Sequence, residues 1–159
     1  MSSPAHDLLE SWWLPPNRQA LLRHECRLAQ RLLALHSGEL VLQVGGLRMT
    51  SDFWQAQPGR LQGWLVASAQ TEVLAPAAVV VTAWESLPLE TASVDGFWLP
   101  HTLETLVDPQ PLLAELARIL VPGGRLLVTM LNPWQYLGLN ARYHGLRPLS
   151  PFRLAAQLD

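Results

Sequence analysis

Residues 94–130 read VDGFWLPHTLETLVDPQPLLAELARILVPGGRLLVTM, and this stretch decides the fold. Its first part, Val94 to Leu99, alternates less cleanly because of Asp95 but sits between the turn-forming Thr91-Ala92-Ser93 and Pro100, as suits a short strand. Asp108 followed by Pro109 has the form of an N-cap with proline at the first helical position. Leu112, Leu113, Leu116 and Leu120 then recur at helical spacing and make one apolar face. Pro122-Gly123-Gly124 is expected to stop that helix, because proline lacks an amide hydrogen and glycine accepts the left-handed conformation. Leu126 to Met130 follows as a second apolar strand. Strand, helix and strand in this order predict a parallel pair joined by a crossover.

The same rhythm extends upstream. Leu14-Pro15-Pro16 closes an N-terminal extension, residues 1–16, and a single α/β domain is expected over residues 17–159. Asn17 is expected to cap a helix through about Leu35, with Leu21, Leu22, Leu28, Leu32 and Leu33 as its buried side and Gly38 as its stop. Leu40-Val41-Leu42-Gln43-Val44, ending at Gly45-Gly46, reads as a buried parallel strand. Trp64 to Ala67 and Val79-Val80-Val81 are further strands, the first followed by a helical turn around Thr71 to Leu74. Beyond Trp134 comes a loop at Gly145 and Pro148, and Ser150 is expected to cap a last helix from Pro151 through Leu158. The expected fold is therefore α/β, a mostly parallel sheet of about five strands with helices on both faces.

Composition narrows the function. A chain of 159 residues suits one domain, and 49% hydrophobic residues are too many for a disordered chain. A net charge of −2 without a basic run excludes a phosphate-driven nucleic-acid binder. The single Cys26 rules out an internal disulfide framework and a cysteine-cluster zinc site. His6, His24, His36 and His144 lack metal-ligand spacing, so no metal is expected. Met1 to Trp13 carries Asp7 and Glu10, unlike a secretory signal. The longest nearly apolar stretch, Val73 to Trp84, is broken by Pro76 and Thr82 and falls short of the roughly 18–20 residues of a membrane span. A cytoplasmic protein without membrane partners is the expectation.

Open α/β sheets bind ligands outside the carboxyl ends of their strands. The residues to weigh are therefore Gly45-Gly46, Ser68, Thr82-Ala83-Trp84 and Pro100-His101, with Asn132-Pro133-Trp134 after the last strand. His101 could serve as a general base, or as a histidine that packs and hydrogen-bonds locally. The glycine pair could admit a nucleotide close to the backbone, or could simply make a tight turn.

Leu87-Pro88-Leu89, Ser93-Val94-Asp95, Leu99-Pro100-His101-Thr102-Leu103-Glu104, Asp108-Pro109 and Arg118-Ile119-Leu120-Val121-Pro122-Gly123-Gly124-Arg125-Leu126 occur in an order that resembles the second half of class I S-adenosylmethionine-dependent methyltransferases. The likeness is to their type-11 group and spans about Leu40 to Pro133. It implies the Rossmann-like methyltransferase fold, S-adenosylmethionine as cofactor and methyl transfer to a small-molecule acceptor. It also implies cofactor contacts at Gln43, Gly45, Gly46, Ser68, Ala83, Trp84 and Pro100, and a catalytic role for His101. This chain departs from the family at three acids, having Gln43 at the end of the first strand, Ser68 after the second and Ala83 after the third. Of the family's glycine loop it keeps the first glycine of the pattern.

A charge-assisted hydrogen bond contributes about 1.5–3 kcal/mol, so losing two would weaken donor binding by on the order of 10² to 10⁴. The resemblance further implies two closing strands in an antiparallel hairpin, for which the sequence offers no residues. The strand Leu126–Met130 is then expected at an open sheet edge, available to a second copy or another protein. A second function follows, an inactive methyltransferase relative that works as a binding or regulatory partner. A dinucleotide-binding protein fits less well, because the loop lacks G-x-G-x-x-G.

Overall fold

The computed structural model describes residues 4–34, 40–46, 61–66, 78–81, 83–148 and 150. Leu40–Val44 (β1), Leu61–Val66 (β2), Ala78–Val81 (β3), Val94–Pro100 (β4) and Leu120–Thr129 (β5) form one sheet in the order β3-β2-β1-β4-β5. Every pairing is parallel. The chain builds outward from β1 through β2 to β3, then returns to β1's other side with β4. That reversal makes the carboxyl ends of β1 and β4 the switch point, where such a sheet opens a crevice.

Strand periodicity sorts the apolar side chains onto two faces. Leu42, Val44, Phe97 and Leu99 pack with Leu112, Leu113, Leu116 and Ile119 of helix α3 (Gln110–Ile119), together with Leu87 and Leu103. Val41 and Trp98 face the other way, against Ala29 and Leu33 of helix α2 (Pro16–Ala34). Helices therefore cover both faces of the sheet. A third cluster joins Leu9, Trp12 and Trp13 of helix α1 (Pro4–Trp13) to Leu22, Leu131, Leu146 and Ala141, the last on helix α4 (Tyr136–Tyr143). Trp12 Nε1 and Arg18 both donate to Asn140 Oδ1, at 3.1 and 2.9 Å, and Arg18 lies over the Trp12 ring at 4.2 Å. Residues 4–13 are thus folded onto the domain rather than extended from it.

Several boundaries differ from those read in the sequence. Pro16, not Asn17, begins α2, as suits a residue with no amide hydrogen to leave unpaired. β2 starts at Leu61 rather than Trp64, in register with the start of β1 at Leu40. Helix α3 ends at Ile119, ahead of Pro122-Gly123-Gly124, because Leu120 already pairs with Val94. β5 accordingly runs Leu120–Thr129, with a bulge in which Asp95 alone stands opposite residues 121–124. The cap of α3 is also shifted: Pro109 is the flanking residue, and Asp108 Oδ1 accepts the Gln110 amide at 3.1 Å. Helix α4 had no counterpart in the sequence reading. The expected turn at 71–74 and helix at 151–158 lie outside the described residues.

Candidate functional site

The mouths of β1 and β4 meet through backbone geometry. Gly45 and Gly46 follow β1 with φ of +58° and +82°. A Cβ on Gly45 would lie 2.6 Å from the Thr102 methyl, and one on Gly46 would strike the Pro100 ring and its carbonyl. Close approach to β4 therefore accounts for both glycines. Thr102 Oγ1 donates to the Val44 carbonyl, tying the loop after β4 to the last residue of β1. Gln43 is buried, and its Nε2 donates to the Gly45 carbonyl at 2.9 Å, bracing the turn from below. At the opposite end of the same pair, Asp95 Oδ2 accepts the Leu40 amide at 2.9 Å. The acid quoted in the Ser93-Val94-Asp95 signature thus fastens β1 to β4.

His101 lies immediately beyond β4, fully buried, with φ of +54°. Its backbone amide donates to the Thr129 carbonyl at 2.9 Å. Its Nδ1 is 2.7 Å from Glu104 Oε2 and its Nε2 is 2.9 Å from Glu25 Oε2, while the Trp13 ring lies 4.6 Å away, centroid to centroid. Burial opposes a charged ring, but the Glu104 carboxylate and its hydrogen bond, followed by Glu25, outweigh it and hold the imidazole up to about 10. At neutral pH both ring nitrogens donate, so neither is open to receive a proton. Glu104, itself buried, also accepts the Leu131 amide through Oε1 at 2.6 Å.

Sequence reasoning thus brought Gln43, Gly45, Gly46, Pro100 and His101 to one place, and the structure joins them. It missed Glu25, Glu104, Thr102 and Trp13. Glu104 carried a signal, standing three residues after His101 in the loop that follows a strand; Glu25 carried none. Ala83 and Trp84 belong to the mouth of β3, two strands from β1. Ala83 is exposed, and Trp84 is half-buried against the main core. The segment after them is clamped by the Glu115–Arg118 pair. Arg118 donates to both oxygens of Glu115 at 2.9 and 2.8 Å and to the carbonyls of Leu87 and Leu89, and Glu115 accepts the Leu87 amide. The hydrogen bond from Arg118, then the one from Leu87, hold the Glu115 carboxyl down to about 2. Ser68 lies outside the described residues.

An adenosyl donor needs an approachable backbone at the switch point and acceptors for its hydroxyls and amine. Gly45 keeps part of its backbone exposed at the mouth of β1 and meets the first need. Gln43 is turned into the turn itself and Ala83 has only a methyl group, so neither supplies a carboxylate. Among the described residues no group of three or more His, Cys, Asp and Glu side chains could hold a metal ion, and no helix is long and apolar enough to cross a membrane.

A family model described as "Methyltransferase domain" matches residues 61–128, from the start of β2 into β5. The uncharacterized protein YafS of Escherichia coli K12 is 40% identical over 78 residues, which are 46% of this chain and 32% of YafS. The malonyl-[acyl-carrier protein] O-methyltransferase of Hahella chejuensis is 37% identical over 65 residues, 41% of this chain and 23% of that protein. The matched part thus spans a third or less of either curated relative. Among solved structures, a SAM-dependent methyltransferase from Thermotoga maritima superposes with a TM-score of 0.68 at 23% identity, over 84% of this chain and 67% of its own. At that identity the likeness is one of fold.

Proposed function

We propose that this chain, which belongs to the class I S-adenosylmethionine-dependent methyltransferases, binds that donor at the β1–β4 crevice and passes its methyl group to a small-molecule acceptor. The observation that carries the reading is the switch point itself, where the partly exposed Gly45 backbone lies at the carboxyl end of β1 beside Thr102, the second residue beyond β4. The near-neutral charge without a basic run favours a small acceptor over a nucleic acid. When bound, the donor supplies an already activated methyl group, so the protein's part is alignment and exclusion of water. Gly45 and Gly46 would hold the donor through backbone, Trp84 would offer a ring, and Gln43 would keep the turn in shape. His101, with both nitrogens donating, suits a bracing role rather than proton abstraction.

Calorimetric titration with S-adenosylmethionine and S-adenosylhomocysteine tests this. Binding is expected, weakened by on the order of 10² to 10⁴ relative to a member that keeps two of the three missing carboxylates. Ala83→Asp, which restores an acceptor at an exposed position, should tighten donor binding about ten-fold or more. No heat at millimolar ligand in either protein would overturn the reading. A second reading, an inactive relative that acts by binding a partner, is favoured by the Gln43 amide being engaged with Gly45. It predicts no donor binding and a stable complex with itself or another protein.

A further inference from the structure

We propose that Glu25 is a positioning residue of the crevice, holding the His101 ring from helix α2 and, through it, Thr102 against the Gly45–Gly46 turn. Its functional consequence rests on the donor-site reading above; its structural content does not. A histidine in the left-handed region is strained and persists only where its surroundings over-determine it. Four ties do so here: Glu25 at Nε2, Glu104 at Nδ1, the Thr129 carbonyl at the backbone amide, and the Trp13 ring against the imidazole.

The next residue in the chain is Thr102. Its hydroxyl bonds the Val44 carbonyl and its methyl fills the space where Gly45 would carry a Cβ. One peptide unit therefore links the ring's pose to the contact that shapes the mouth of β1. The two carboxylates are not equivalent. Glu104 sits in the same loop as His101 and is shared with the Leu131 amide. Glu25 comes from a different element, 76 residues away in sequence, and its side chain keeps 19% exposure. It is the tie that makes the loop depend on α2. The titratable groups in contact with the ring are Glu25 and Glu104 alone among the described residues; α1 contributes Trp13 and β5 a carbonyl.

Carbon-detected NMR of the full chain between pH 6 and 11, without ligand, tests the proposal. In the unaltered protein His101 should titrate with a midpoint near 10, and the shifts of Thr102, Gly45 and Gly46 should follow that same midpoint. Glu25→Gln should lower the shared midpoint by about one unit or more, and Glu25→Asp should bring it back toward the original value. Loss of the carboxylate lowers the midpoint by charge alone, so the positioning role is read from Thr102, Gly45 and Gly46: in Glu25→Gln at pH 7 their shifts should move from those of the unaltered protein, whereas a Glu25 without a positioning role would leave them in place. The proposal is overturned if Glu25→Gln leaves the midpoint in place, or if His101 titrates while Gly45 and Gly46 stay still. Should Glu25→Gln not fold, the alkaline titration of the unaltered protein alone decides whether ring and turn are coupled. Because no donor is present in these measurements, failure of donor binding leaves their outcome intact.

Discussion

His101 combines a strained backbone with a charged ring, and both carry consequences for stability. Its folded value near 10 lies above the ordinary 6.5, so the stabilisation is complete below pH 6.5 and is lost as pH rises through 10. Urea unfolding should therefore show the midpoint falling from about pH 6.5 to about pH 10 and levelling off above that. His101→Gln should cost about 3–5 kcal/mol at pH 7, because it leaves a buried carboxylate without its partner, and should flatten that alkaline decline. At this scale the sequence was partly legible. The position of His101 after an apolar strand marked it for attention, and Gly45-Gly46 announced a turn. Its partners were not legible: Glu25 stands in an amphipathic helix among Arg23, His24 and Arg27, where a carboxylate reads as one more solvated charge. Only the tertiary packing of α2 on the sheet turns it inward. The same limit applies to Asp95, whose bond to the Leu40 amide joins segments 55 residues apart.

Secondary structure elements followed their local signals except where a neighbour competed for the same residues. Helix α3 gave way at Ile119 because the pairing of Leu120 with Val94 takes the following residues into β5 before proline and glycine can act. Helix α4 was not foreseen, because Gly138 lowers helix propensity in the middle of a short segment. The structure shows what that glycine is for. A Cβ there would run into the Asn132 carbonyl, and the Asn132 side chain is itself engaged with the Trp134 amide at 3.0 Å. Gly138→Ala thus sets two effects against each other. The gain in helix propensity is about 1 kcal/mol, whereas displacing a backbone carbonyl that lies in the way costs about 1–3 kcal/mol or more. The substitution should lower the melting temperature, and a rise would show that the Asn132–Gln135 turn yields easily.

The alternation of short apolar strands with amphipathic helices was enough to read the described strands and their parallel sense, though not all their bounds, because buried parallel strands leave continuous apolar runs bounded by glycine and proline. Which strand lies beside which could not be read from periodicity, since that depends on contacts between distant segments. The order β3-β2-β1-β4-β5 has a kinetic consequence. β4, α3 and β5 are consecutive and bury Leu99, Leu112, Leu116 and Ile119 within one continuous segment, so their ordering closes only short loops. β1 must reach β4 across a far longer stretch of chain, and its docking is expected late. Leu116→Ala should therefore slow folding, with most of its roughly 2–5 kcal/mol destabilisation appearing in the refolding rate, whereas Val41→Ala should chiefly accelerate unfolding. Stopped-flow measurements on the two variants distinguish these arms, and equal partitioning in both would contradict the order. If β1 arrives last, the crevice has no existence in any half-folded chain: the C-terminal half of the sheet can be assembled while Thr102 still has no Gly45 to meet. Ligand would then select the final, completed molecule and none of its precursors.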